Sequence, residues 1–183
     1  VLKILVAFLP AAVVGLTLHH FLETLFRPGI VATTLILGGL VILMIDGPRR
    51  FRGLADLELM TVQQALVIGL GQTVSMVPGV SRSGATIVTG LLVGLDRRAA
   101  TDFSFLLALP TMYAATLYSM WKARAQLAGE MGLGMGVGLL AAYVSALIVI
   151  NAFLRYVQTN SLRPFGWYRI VAGLAVLAWF FLR

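Results

Sequence analysis

The 183-residue sequence is 60% hydrophobic and only 11% charged, with a mean hydropathy of +0.95, which excludes an ordinary soluble domain because such a surface needs charge. The formal net charge of +7 comes from Lys and Arg residues scattered between apolar runs, which favours anchoring at membrane interfaces over nucleic-acid binding. The absence of cysteine excludes disulfides, thiolate metal sites and cysteine nucleophiles.

Five segments are long and apolar enough to span a membrane, which takes about 20 residues of helix. Four contain no Asp, Glu, Lys or Arg, and the last contains only Arg169. Small residues at 132–138, inside the fourth segment, are interpreted as close helix packing and not as a ligand site. The sequence therefore predicts an all-α, polytopic helical bundle in a single membrane domain, 1–183, with spans at 4–22, 29–45, 103–121, 131–154 and 164–182.

The stretch 47–60 is the most polar part of the chain and includes Arg49, Arg50 and Arg52. Such a cluster is typical of a loop at the membrane surface. The positive-inside tendency favours the cytoplasmic side, but short arginine runs also occur near anionic lipid, so the orientation stays open.

The region 61–95 has a different pattern. Two apolar pieces, each short for a span, flank the polar turn PGVSRSG. Its glycines and proline break helices, and its polar side chains would be unfavourable in lipid. Irregular backbone at membrane depth is tolerated only where protein or a water-filled cavity surrounds it. We therefore expect a re-entrant helix hairpin at about 61–95 whose turn borders a polar pocket.

The residues of this turn suit an anion. Gly79 and Gly84 let the backbone come close to a phosphate. The hydroxyls of Ser81 and Ser83 can donate hydrogen bonds to its oxygens, and Arg82 between them offers a planar, two-pronged contact. A helix expected to begin near Ser83 would add free amides and the positive end of its dipole.

Simpler interpretations stand beside the anion site. Ser83 or Thr86 could be only a helix cap, since Ser and Thr are ordinary N-caps. Arg82 could be an interfacial arginine that reaches to the headgroups. An arginine in an apolar region is unfavourable by about 2.5 to 3.5 kcal/mol, however, so it needs a partner or a function, and the surrounding serines and glycines favour a function.

The segment PGVSRSGAT at 78–86, with GLGQTVSMV before it and RRAATDFSFLLALPTMYAAT at 97–116, resembles the signature of the undecaprenyl-diphosphate phosphatase family. These are the bacitracin-resistance proteins that recycle the lipid carrier of cell-wall synthesis. The resemblance implies a multi-pass protein of the bacterial inner membrane, built from two inverted repeats that each carry a re-entrant hairpin. This chain would supply one hairpin of a phosphate-binding pocket.

The resemblance also implies a hydrolase that removes the terminal phosphate of undecaprenyl diphosphate to give undecaprenyl phosphate. Its partners would be that polyprenyl diphosphate and membrane lipids, with a homodimer as a possible assembly and no nucleic acid. A magnesium or calcium ion fits the family, although its ligands are not expected in this chain. We expect Arg82, Ser81 and Thr86 to be catalytic and Gly79, Ser83, Gly84 and Gln72 to bind substrate.

The chain departs from the family pattern in one respect. The glutamate motif and the Ser-Ser-x-Gly-His turn of the amino-terminal repeat do not occur in it. Its only histidines, His19 and His20, end the first apolar segment and are interpreted as interfacial. Because the sequence also opens on Val1, we expect a fragment that lacks the amino-terminal repeat and hydrolyses little or nothing by itself.

Two alternatives remain open. Broken helices around a midplane pocket also occur in carriers, so a lipid or anion transporter is the competing function. Asp102 is expected in the first turn of a helix, where it would either stabilise the helix dipole or reach towards Arg82.

Overall fold

The computed structural model describes residues 1–45, 53–124 and 133–182, and the regular elements in these ranges are helices. The prediction of an all-α, polytopic membrane protein is confirmed. In chain order the helices are α1 (Leu2–Thr17), α2 (His19–Thr24), α3 (Pro28–Ile45), α4 (Val62–Val74), α5 (Arg82–Leu92), α6 (Arg97–Lys122), α7 (Leu133–Thr159) and α8 (Arg163–Phe181).

Four of these helices, α3, α6, α7 and α8, are long and apolar enough to cross a membrane, and they match the predicted spans that begin at 29, 103, 131 and 164. The predicted span 4–22 is wrong in its extent, because α1 ends at Thr17 and α2 begins after Leu18. The Thr17 hydroxyl donates to the carbonyl of Val13 at 2.7 Å, a contact that tends to bend helices. With 16 residues, α1 is about 24 Å long, short of the roughly 30 Å hydrocarbon core.

The predicted surface loop is described only in part, since Arg49, Arg50 and Arg52 lie outside the described residues. Beyond them, Leu54 pairs with the end of the α5 segment: its N–H donates to Gly94 at 2.8 Å, and its carbonyl accepts from Asp96 at 3.0 Å. Lys3 donates to the carbonyl of Glu58 at 2.7 Å. The end of this loop is thus attached to both α1 and the hairpin.

Glycines allow the closest helix contacts. A Cβ at Gly39 in α3 would lie 2.6 Å from the carbonyl oxygen of Gly166 in α8, so these two helices cross backbone to backbone. The packing predicted for 132–138 is not observed: among the described residues, nothing lies within 4 Å of a Cβ built at Gly134, Gly136 or Gly138. This part of α7 is exposed, and Gly132 lies outside the described residues.

The predicted hairpin at 61–95 consists of α4 and α5, with 13 and 11 residues, joined by a turn. Its helix–turn–helix form is confirmed, while its embedding in the bilayer stays a prediction. Both helices pack with α1 and α6 around one apolar core. The hairpin therefore packs against α6, and its turn contacts the α3–α8 pair. The largest buried side chains of this core are Met60, Ile68, Ile87, Leu95 and Leu107.

Candidate functional site

The turn between the hairpin helices begins as a tight β-turn over Val77–Val80. The Val80 N–H donates to the carbonyl of Val77 at 3.1 Å, and Gly79 has a φ of +88°. Proline at the second position and glycine at the third are typical of a type II turn. A Cβ at Gly79 would also collide with the Thr34 hydroxyl, so both conformation and space require glycine here.

Helix α5 begins directly after this turn, and Ser81 is its N-cap. The Ser81 hydroxyl accepts from the Gly84 N–H at 3.1 Å and lies 3.3 Å from the Ser83 hydroxyl. The expected helix start near Ser83 is confirmed, but the cap is Ser81 and neither Ser83 nor Thr86. The first amides of a helix have no acceptor within it, so those of Arg82 and Ser83 can point at an anion.

Arg82 occupies the first position of α5 and is partly buried. Its Nη1 atom is fully buried and has no hydrogen-bond partner in the described part of the chain. A buried donor without an acceptor is unfavourable by about 1 to 3 kcal/mol, more when charged, so native proteins rarely leave one. A side chain that stays in this state is suited to an anion supplied from outside.

Asp102 does not supply that anion. Its carboxylate pairs with Arg98 at 3.8 Å, one turn away on the same helix. The expectation that it stands in the first turn of α6 is also wrong, because α6 begins at Arg97 and its cap is Asp96, which accepts from the Ala99 N–H at 2.7 Å.

Thr86 lies behind the turn. It is 1% exposed, and its hydroxyl is 3.0 Å from the carbonyl oxygen of Arg82 and 2.5 Å from the hydroxyl of Ser104 in α6. This geometry joins α5 to α6 beneath Arg82. The catalytic role expected for Thr86 stays a prediction, and its position favours support of the helix that carries Arg82.

Replacing Thr86 by valine should lower the free energy of unfolding by about 1 to 3 kcal/mol, because it leaves a buried Ser104 hydroxyl without its partner. The double variant Thr86→Val/Ser104→Ala should recover most of that loss. The matched control is Thr101→Val, which removes a hydroxyl that donates to the carbonyl of Arg97 in its own helix at 2.7 Å. Denaturant unfolding in detergent measures all three. Full stability in Thr86→Val would contradict the supporting role.

Gln72 is near the carboxyl end of α4 and is 2% exposed. Its amide Nε2 donates to the Thr111 hydroxyl of α6 at 3.4 Å. Its Oε1 atom is buried and has no partner among the residues that the structure describes. The substrate-binding role expected for Gln72 stays a prediction, and an acceptor left open in the protein interior is compatible with it.

A cavity of about 400 Å³ lies between α3, the hairpin and α8. Most of its wall is aliphatic, contributed by residues such as Leu37, Val41 and Val88. Ser81 and Gly84 belong to its lining, so the capped start of α5 lies where an apolar cavity meets a polar turn. This combination suits a ligand with an anionic head and an apolar body.

The comparisons with known proteins agree with this chemistry. A sequence model of the family described as "Bacitracin resistance protein BacA" matches residues 1–175. The chain belongs to the bacitracin resistance protein BacA family. It is 48% identical over 179 residues to undecaprenyl-diphosphatase 2 of Rhodospirillum rubrum and 48% identical over 184 residues to the undecaprenyl-diphosphatase of a Polaromonas species.

A further BacA-type relative, the undecaprenyl-diphosphatase of Acinetobacter baumannii, is 43% identical over 177 residues. These matches cover 96 to 97% of this chain but only 65 to 66% of the three relatives, so the chain spans slightly less than two thirds of their length. The resemblance inferred from PGVSRSGAT is confirmed at the level of the family.

Sequence reasoning missed one residue at this candidate site, Arg169 of α8. Its Nη2 atom donates to the carbonyl of Gly79 at 2.9 Å, and the side chain lines the cavity together with Ser81. The signal was present, since Arg169 is the only charged residue in 164–182, and charges inside spans usually have a function.

Of the two histidines, His20 does not join the site. His20 is exposed on α2 and lies 3.8 Å from Glu23, one turn along the same helix. The side chain of His19 lies outside the described parts of the structure. The interfacial interpretation of the pair agrees with the exposure of His20.

Proposed function

We propose that the protein to which this chain belongs hydrolyses the terminal phosphoanhydride of a polyprenyl diphosphate. By the names of its relatives the substrate is undecaprenyl diphosphate, and the products are undecaprenyl phosphate and inorganic phosphate. The observation that carries the proposal is Arg82, which presents a buried N–H without an acceptor in the described chain at the glycine- and serine-rich start of a helix.

Catalysis by these residues would be electrostatic. Water adds to the terminal phosphorus, and the bond between this phosphorus and the bridging oxygen breaks, so that the bridging oxygen leaves with the polyprenyl phosphate. In the transition state, negative charge spreads over the phosphoryl oxygens. The Arg82 guanidinium and the first amides of α5 are already oriented before the reaction, so they stabilise this charge without reorganising. The hydroxyls of Ser81 and Ser83 lie 3.3 Å apart at the same end of α5, and we expect them to donate hydrogen bonds to the phosphoryl oxygens.

The group that activates water is not assigned to this chain. Ser81 is a weak nucleophile without a base, and its hydroxyl serves as the cap of α5. Within the described residues, His, Cys, Asp and Glu form no group of three or more that could hold a metal ion. A magnesium or calcium ion therefore does not fit these residues alone, and its remaining ligands would come from outside them.

The first isoprenoid units after the diphosphate fit the aliphatic cavity beside the turn. A prenyl chain that enters between α3 and α5 removes apolar surface from water, at roughly 25 cal/mol per Å². This contribution is absent for an unprenylated diphosphate. The four candidate spans support a multi-pass membrane location, and we infer the bacterial inner membrane, where recycling of the lipid carrier would serve cell-wall synthesis and bacitracin resistance.

The test is phosphate release, in detergent or vesicles, by the purified full-length protein to which this chain belongs. We expect release from undecaprenyl diphosphate to exceed release from inorganic pyrophosphate at the same concentration, because only the prenylated substrate can fill the cavity. Equal rates would contradict the role of the cavity. No release, together with movement of lipid or anion across vesicles, would replace the hydrolase by the transporter.

A further inference from the structure

The turn before α5 is held by two side chains from outside the hairpin. The Thr34 hydroxyl of α3 donates to the carbonyl of Pro78 at 2.6 Å, and Arg169 of α8 donates to the carbonyl of Gly79 at 2.9 Å. These carbonyls are consecutive, and both precede the cap Ser81. The last two peptide carbonyls before Val80 are thus each bound to a different membrane helix.

These two donors belong to one rigid unit. Helices α3 and α8 make the most extensive helix pair of the fold and cross at Gly39 and Gly166 without room for a side chain. Their contact with the hairpin is much smaller. The hydrogen bonds to Pro78 and Gly79 therefore join two packed units at the point where the site begins.

The orientation of the Pro78–Gly79 peptide depends on these bonds. Type I and type II turns differ by a flip of their central peptide, and glycine at the third position permits either form. Thr34 binds the carbonyl of this central peptide, and Arg169 binds the next one. Together these two hydrogen bonds select one orientation of the turn. They thereby fix the direction in which the backbone enters Ser81 and in which the first amides of α5 point.

Space for the guanidinium is provided by Gly38. A Cβ at Gly38 would lie 2.5 Å from Nη2 of Arg169. The Nε atom of Arg169 is buried and has no partner among the described residues, and its Nη2 atom donates to the carbonyls of Gly79 at 2.9 Å and Thr34 at 3.5 Å. Because the shorter of its two hydrogen bonds goes to the turn, this charge within a candidate membrane span indicates that the turn must be held in place.

We propose that Thr34 and Arg169 are positioning residues that hold the Pro78–Gly79 turn and so direct Ser81 and the amides of α5 at the phosphate. This proposal rests on the proposed function. Neither side chain needs to touch the substrate. Loss of either bond should therefore impair the transition state more than the initial binding of substrate, which Arg82 dominates.

The experiment measures kcat and KM for phosphate release with purified Thr34→Val, Arg169→Gln and Arg169→Lys. Thr33→Val is the matched control for Thr34→Val, because the neighbouring Thr33 hydroxyl bonds within its own helix to Gly29 at 2.8 Å. Arg163→Gln is the control for Arg169→Gln, since Arg163 is exposed at the start of the same helix. Unfolding temperatures in detergent are recorded for every variant.

We expect kcat to fall about 5- to 10-fold in Thr34→Val and about 10- to 100-fold in Arg169→Gln, with KM changed less than about 2-fold. Arg169→Lys should retain part of the activity, because it keeps a donor and a charge but shortens the reach. The double variant Thr34→Val/Arg169→Gln should lose less than the product of the two single losses, since both side chains hold one turn.

Several outcomes would overturn the proposal. An unchanged kcat in both Thr34→Val and Arg169→Gln would overturn it. Losses of kcat that are fully explained by a lowered unfolding temperature would do the same. A raised KM with normal kcat in Arg169→Gln would make Arg169 a substrate contact instead. Absence of phosphate release by the full-length wild-type protein to which this chain belongs would contradict the proposed function itself, and this result is obtained before any variant is compared.

Discussion

Replacing Arg82 by alanine should lower kcat/KM for phosphate release about 100- to 1000-fold, the range found when one preset donor to a developing oxyanion is removed. The same variant should unfold at a temperature at least as high as that of the wild type. In the wild type, the Nη1 atom of Arg82 is buried without an acceptor in the described chain. Removing this side chain therefore relieves an unfavourable burial. Activity and stability would thus change in opposite directions.

Two further variants make this measurement specific. Arg82→Lys keeps the charge but loses the planar fork, so we expect an intermediate loss of about 10- to 100-fold. Arg98→Ala removes an arginine of α6 that is mostly exposed and pairs with Asp102, and it should leave phosphate release within about 2-fold of the wild type. Normal turnover by Arg82→Ala would disprove the central role of this side chain.

Gly79→Ala should abolish most of the activity, with an expected loss of about 100-fold in kcat. The positive φ alone is unfavourable for alanine by about 1 to 2 kcal/mol. The new methyl group would in addition collide with the Thr34 hydroxyl and displace the turn from the α3–α8 pair. The start of α5 would then be misdirected, although the helices around it could still pack.

Gly94→Ala is the matched control for this strain. Gly94 has a φ of +96°, but among the described residues nothing lies within 4 Å of a Cβ at this position. Both variants should therefore lose a similar amount of stability from backbone strain, and only Gly79→Ala should lose activity beyond that. Equal activities of the two variants, measured on folded protein, would show that contact with Thr34 is unimportant.

Much of the architecture was predictable because lipid restricts the choices of a chain. Apolar runs of span length must become helices in a membrane, which is why four predicted spans agree closely with α3, α6, α7 and α8. The hairpin was predictable for the same reason, since glycines and polar residues between short apolar pieces cannot continue a span. The break after Thr17 was missed because it depends on a local hydroxyl–carbonyl contact within an otherwise apolar run.

The sequence by itself determined that this is a multi-pass helical membrane protein, and it predicted an anion-binding turn around Arg82, because composition and local chemistry carry that information. Only the tertiary structure decided that Thr86 faces Ser104, that Asp102 pairs with Arg98 and that Arg169 binds the carbonyl of Gly79. Such contacts depend on the register in which helices pack. Register follows from the fit of many small and apolar side chains across the whole bundle, which no single segment of the chain specifies.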